Sequence, residues 1–156
     1  MKMQRRPLHM VMLRSTSLPE LFGHCIGLSD KPRVTITTSR DFQKRAVWYI
    51  GGQLAEQGVT RTREAQIAAA REELRGCVPW IDLDRVADAE WATLRIDRAE
   101  GLTPSGERPD EPVIVPYRNT ITVWPTKLAF APLVAQRVAE LLAREGVEAS
   151  TSRPSP

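Results

Sequence analysis

Arg33–Ile50 reads RVTITTSRDFQKRAVWYI, and this run sets the fold class. Within Arg33–Thr38 the β-branched residues alternate: Val34 and Ile36 take one face, Thr35 and Thr37 the other. That is the pattern of a strand covered on one side. Ser39–Lys44 is a polar loop, and Ala46–Ile50 (AVWYI) follows as the hairpin partner. Gly51 and Gly52 close the second strand, where a backbone can turn sharply or meet a close neighbour.

Working outward, Pro7–Arg14 (PLHMVMLR) is short and apolar and suits a buried strand. Downstream of the hairpin, Thr62–Arg75 reads as a helix. Thr62 caps it, Glu64 favours its positive end, and Ile67, Ala70 and Leu74 share a face; Gly76 supplies a stop. Asp82–Glu90 suggests one more helical turn before a strand at Trp91–Ile96. Gly101–Pro112 is rich in proline and glycine and reads as a loop. Pro112–Pro116 and Thr120–Trp124 form a second hairpin around Arg118 and Asn119. Pro132–Glu145 is an amphipathic helix with Val134, Val138, Leu141 and Leu142 on its apolar side, and Gly146 lies just beyond it. The expected class is α+β: a mostly antiparallel sheet, a helix after the first hairpin and a C-terminal amphipathic helix. Residues 1–146 are expected to form one domain, with a disordered tail at 147–156.

The chain has 156 residues, 42% hydrophobic and 26% charged, within the range of ordinary globular proteins. No apolar run approaches the roughly 18 residues that span a bilayer, so no membrane association is expected and the location is read as cytoplasmic. The net charge of +3 comes from 22 basic and 19 acidic side chains that are interspersed. A nucleic-acid partner would need the basic ones gathered on one surface, and none is expected. Cys25 and Cys77 are far apart in sequence, form no CxxC pair and have no ligand spacing with histidine. They read as reduced core thiols, and no metal is expected.

There is no GxGxxG after a strand, no GxxxxGK[ST] loop and no GxSxG elbow. His24 and Cys25 are neighbours, and neighbours in a strand point to opposite faces, which argues against a Cys–His pair. His9, in an apolar strand, reads as a core histidine. Two later features are more suggestive. Alternation in Trp91–Ile96 puts Trp91, Thr93 and Arg95 on one face, a way of offering a guanidinium to a carboxylate or phosphate; the bland alternative is an edge arginine paired with Asp97, Asp110 or another acid. Thr120–Pro132 (TITVWPTKLAFAP) runs a strand into Trp-Pro-Thr-Lys and then a helix entry, where backbone amides and a lysine suit an anion or an electron-rich ring. Read blandly, Trp124 is a core aromatic and Pro125 ends a strand.

Taken in order, RPLHMVMLR (6–14), GHCIGLSDKPRVTITTSRD (23–41), VWYIGGQLAEQGV (47–59), PWIDL (79–83), EWATLRIDRAE (90–100) and TVWPTKLAFAP (122–132) resemble the C-terminal, substrate-domain portion of FAD-dependent oxidoreductases of the D-amino-acid-oxidase-like superfamily. The glycerol-3-phosphate-dehydrogenase-like bacterial type is the nearest. VWYIGGQLAE and WPTKL carry the most specificity, and the resemblance covers roughly residues 6–145. It implies an antiparallel sheet that roofs a flavin ring, with FAD as cofactor although its binding fingerprint is absent from this chain. It implies that Trp124, Pro125, Thr126 and Lys127 lie near the flavin and that the last helix docks on an FAD-binding domain or subunit, the missing partner. The family's substrate-anion arginine falls on Arg95. The usual Arg-Pro continuation is replaced here by Arg95-Ile96-Asp97-Arg98, which makes Arg98 a competing candidate, and His24 is a candidate acid/base.

The function so implied is the substrate side of an FAD-dependent oxidoreductase acting on a small, anionic hydroxy- or amino-compound, inactive without the FAD-binding half. The alternative is a stand-alone ligand- or protein-binding module without catalysis. The apolar face of the last helix separates the two, depending on whether it is buried or exposed.

Overall fold

In a computed structural model, residues 2–29, 31–124 and 126–147 are described. Seven strands and three α-helices follow the order β1 (Met3–Ser15), β2 (Phe22–Ile26), β3 (Pro32–Arg40), β4 (Ala46–Gly51), α1 (Gln53–Gln57), α2 (Arg63–Cys77), β5 (Glu90–Gly101), β6 (Val113–Tyr117), β7 (Thr120–Trp124) and α3 (Ala131–Arg144), with a 3₁₀ turn at Leu128–Phe130. The architecture is α+β, as the sequence indicates. Five strands form a sheet in the order β2-β3-β4-β1-β5, and β6 and β7 form a separate hairpin.

The β3–β4 hairpin is antiparallel, with Ile36 opposite Ile50 and Thr38 opposite Trp48. β1 continues the sheet beyond β4, with Val11 opposite Ile50 and Leu13 opposite Trp48. Directly opposed residues share a face, so Val11, Leu13, Val34, Ile36, Ala46, Trp48 and Ile50 form one apolar layer, and all are buried. Ala70 and Leu74 of α2, with Leu54 of α1, join the same cluster. Trp48 is fully buried, and its indole N–H donates to the Pro19 carbonyl at 2.9 Å. A buried indole without that acceptor would forfeit on the order of 1–3 kcal/mol.

The polar groups inside this core form a closed set. The Gln66 amide nitrogen donates to the carbonyls of His9 (2.7 Å) and Leu54 (3.1 Å), and its oxygen accepts from the Arg61 guanidinium at 3.0 Å. His9 Nδ1 lies 3.0 Å from the Gly58 carbonyl. A carbonyl only accepts, so Nδ1 carries the proton. His9 is therefore a satisfied core histidine.

Several elements differ from the sequence reading. β1 and β5 extend past the apolar runs that announce them, because ladder pairing continues where side chains are polar. β2 and α1 were not anticipated. α2 is capped by Thr62, whose hydroxyl accepts from the Ala65 N–H at 3.2 Å, but it runs through Gly76 to Cys77. Gly76 does not stop it, since Val78 still donates to the Leu74 carbonyl. The segment from Asp82 to Ala89 forms turns rather than a helical turn.

The fold divides into two compact units, Pro7–Arg98 and Met1–Arg6 with Ala99–Pro156. Every residue of the buried apolar core belongs to the first. At one end of that unit an ion-pair network joins Arg14 and Arg45 to Asp41 and Glu90: Arg45 meets Asp41 at 2.9 Å and Glu90 at 3.0 Å, and Arg14 contacts both acids. In the second unit the buried charge is Glu100, which pairs with Arg6 at 3.0 Å, off the alignment of a hydrogen bond. The β6–β7 hairpin turns through Arg118, at φ 53°, and Asn119. None of the α3 residues is fully buried; Val134, Val138, Leu141 and Leu142 are all half-covered.

Candidate functional site

Helices cover one side of the five-stranded sheet, and alternation sends the other half of every strand to the opposite side. Register identifies those residues: Met12 lies opposite Tyr49, Thr37 lies between Tyr49 and Phe22, and His24 is opposite Thr35. Leu94 and Ile96 of β5 also face this way, because each is an odd number of residues from Trp91, which packs on the core. The face stays open: Phe22 is 66% exposed, Leu94 48%, Tyr49 42% and Ile96 38%. Gly51 lies on it under Met10 and Thr35, whose methyl and hydroxyl would be 3.0 Å and 2.9 Å from an added Cβ. Aromatic rings, thioethers and hydroxyls dominate the surface, with one imidazole. Such a surface suits a flat or small organic group with few charges.

His24 occupies the middle of β2 on this open face and is exposed, whereas Cys25 turns to the core. Their opposite orientations follow from strand alternation. Arg95 lies on β5, at the other edge of the sheet; four strand spacings put roughly 19 Å between the two edges. His24 and Arg95 are thus not brought together. The Arg95 guanidinium donates to the carbonyls of Val59 and Arg61, on the helix side. Its partners are backbone oxygens rather than the neighbouring acids. Arg98 pairs with Glu56 of α1 at 3.2 Å.

The Trp124–Lys127 turn lies in the other unit. Trp124 ends β7, half-buried and opposite Val113. Pro125 lies outside the described residues. Thr126 holds φ 59°, a left-handed conformation uncommon for a β-branched residue, and its hydroxyl oxygen is buried with no hydrogen-bond partner among the described residues. Lys127 is exposed, with its ammonium 5.6 Å from the centre of the Phe130 ring. A strained backbone beside an unpaired buried hydroxyl and a lysine is the chemistry of a polar contact site.

Sequence reasoning did not single out Phe22, Met12, Thr37 or Tyr49. The signal was present as alternation in Pro7–Arg14 and Ala46–Ile50, but only the ladder register shows that these half-strands share one uncovered face. A concavity of about 260 Å³ lies beside α1 and α2, where Arg33 meets Glu73 at 2.7 Å. Among the described residues no cluster of His, Cys, Asp or Glu stands ready to hold a metal ion, and no helix is long and apolar enough to cross a membrane.

No family model matches the chain. It is 48% identical over 149 residues to the probable FAD-dependent oxidoreductase PA4991 of Pseudomonas aeruginosa, covering 95% of this chain and 37% of that protein. The crystal structure of that FAD-dependent oxidoreductase superposes with a TM-score of 0.83 at 46% identity, over 99% of this chain and 42% of the other. The chain therefore spans about two fifths of the length of the relative it matches.

Proposed function

We propose that this chain is the substrate-side portion of an FAD-dependent oxidoreductase, of D-amino-acid-oxidase-like and glycerol-3-phosphate-dehydrogenase-like type. It acts on a small hydroxy- or amino-compound bearing an anionic group, and the missing partner is an FAD-binding domain or subunit. The observation that carries this reading is the open face of the five-stranded sheet. Phe22, Tyr49, Leu94 and Ile96 remain exposed on a sheet whose other side carries the apolar core. Apolar side chains left in water on one face of an otherwise well-ordered sheet mark a binding surface. The half-covered apolar side of α3 supports a missing partner in the same way.

The residues present fit the ring end of FAD rather than its phosphates, since no GxGxxG fingerprint occurs in the chain. The Thr126 hydroxyl and the Lys127 ammonium would contact the ring, beside Trp124. When bound, the flavin supplies hydride acceptance. The chain's own residues bind and orient the substrate and exclude water. His24, on the open face, would take or hold a substrate proton at an imidazole nitrogen. Arg95, at the far edge of the sheet and on its helix side, or Arg98 would hold the substrate anion by exchanging the Val59 and Arg61 carbonyls or Glu56 for it; His24 and Arg95 are then alternative sites, not partners on one small molecule.

The test is a chimera in which this chain replaces the matching portion of the Pseudomonas relative. The expected protein is yellow and oxidises members of a panel of hydroxy and amino acids, while the isolated chain takes up no FAD. Stoichiometric FAD binding by the isolated chain would refute the missing half. A flavin-loaded chimera that oxidises only uncharged compounds would refute the anionic substrate. The alternative, a stand-alone binding module, is favoured by the complete core of Pro7–Arg98, and predicts a folded chain that binds ligand without acquiring flavin.

A further inference from the structure

The cleft of about 260 Å³ beside α1 and α2 shares no residue with the open sheet face or with the Trp124–Lys127 turn. Helical spacing gathers part of its lining: Ala69, Glu72 and Glu73 stand three and four residues apart on α2 and form one stripe. Gln57 of α1, Arg33 of β3 and Arg61 from the loop between the helices complete its polar lining. We propose that this cleft binds the zwitterion of a free α-amino acid with an aliphatic side chain, at a site separate from the flavin and its substrate.

The lining offers a partner for each end of such a ligand. Glu73 Oε2 is buried, and although Arg33 lies 2.7 Å away, no hydrogen bond to that oxygen forms among the described residues. A buried carboxylate oxygen in that state calls for a well-aligned donor, and an ammonium brings three N–H groups. Glu72 adds a second carboxylate, held only by Arg75 at 3.6 Å. On the cationic side, Arg61 is fixed twice: its guanidinium donates to Gln66 at 3.0 Å, and its carbonyl accepts from Arg95. A guanidinium has five N–H groups, so the bond to Gln66 leaves an edge for a ligand carboxylate. A charged group already held in place loses little freedom when it binds.

Size and floor narrow the class. At about 30 Å³ for each liquid water, the volume corresponds to roughly nine non-hydrogen atoms, the size of an amino acid and too small for a nucleotide. Leu54 is buried and Ala69 half-buried along the lining, which gives an aliphatic side chain a place out of water. The cleft draws on no side chain assigned to the flavin or to the substrate, so it stands or falls independently of the proposed function.

The experiment titrates the full, isotope-labelled chain with L-leucine, N-acetyl-L-leucine and L-leucinamide, following amide shifts by NMR and heats by calorimetry. L-Leucine should bind saturably and move the signals of Gln57, Arg61, Glu72 and Glu73. Each derivative lacks one ligand charge and should bind about tenfold more weakly or worse. Glu72→Gln, a change to an exposed side chain, and Arg61→Met should each weaken leucine binding by a similar factor. Should Arg61→Met fail to fold, Glu72→Gln and the two derivatives decide. Absence of saturable binding, equal affinity for the three compounds, or shifts confined to Phe22, His24 and Tyr49 would overturn the proposal. The last of these results would leave the proposed function standing.

Discussion

Gly58 has an unstrained φ of −82°, yet a Cβ built there would lie 2.1 Å from the Gln66 amide oxygen. Its carbonyl also accepts from His9, so the backbone cannot easily retreat. Gly58→Ala should therefore destabilise by about 1–3 kcal/mol through overpacking, read as a lower urea midpoint with an unchanged slope. An unchanged midpoint would mean that Gln66 has room to move. Gly52 is required for a different reason: its φ of 80° lies in the left-handed region, and a Cβ would approach the Pro32 carbonyl to 2.8 Å. The sequence marks Gly52 as a turn position, but only the fold shows that Gly52 answers a conformational need and Gly58 a steric one. Arg95 teaches the same lesson. Strand alternation places it correctly beside Trp91, but the acceptors that occupy it, at Val59 and Arg61, come from a loop that no local pattern connects to β5.

At the scale of elements, the Arg14–Asp41–Arg45–Glu90 network ties the β3–β4 loop to the start of β5. The hydrogen bond from Arg14 is the main reason that Glu90 ionises below its ordinary value of 4.5. For Asp41, burial works against ionisation, but the backbone N–H of Arg45 and the side chain of Arg45 more than offset it, and its carboxyl falls below 3.8. Both acids are depressed in the folded state, so their contribution is complete above the unfolded values and is lost as pH falls through the lower folded ones. Thermal stability should decline on acidification below pH 4.5, and Glu90→Gln should flatten that decline. A Tm profile with an equal slope in wild type and variant would show that the network contributes nothing measurable, as is common for exposed pairs. The elements themselves were largely legible. Both hairpins, the α2 cap and the amphipathic last helix follow from periodicity and turn chemistry. β2 was not, because FGHCI lacks a clear alternation and its pairing is supplied by β3.

For the whole molecule, the uneven distribution of the core is the consequential feature. Among the described residues, Pro7–Arg98 holds the whole buried apolar cluster, while the unit that contains β6, β7 and α3 buries little beyond Pro109 and Pro112. An isolated hairpin is marginal in water. Amides of β3, β4 and α2 should therefore exchange slowest in the isolated chain, with those of β6, β7 and α3 much faster; in the flavin-bearing chimera the latter should become protected. Equal protection of both units in the isolated chain would favour the self-contained binding module. The sequence by itself determined the α+β class and the two hairpins, because hydrophobic period and turn residues act over short ranges; the resemblance to FAD-dependent oxidoreductases rests instead on its motifs. Tertiary structure alone decided which half of each strand stays uncovered and that Arg95 and Arg98 are engaged by Val59, Arg61 and Glu56. These are contacts between segments far apart in the chain, fixed by strand order and register, which no local pattern encodes.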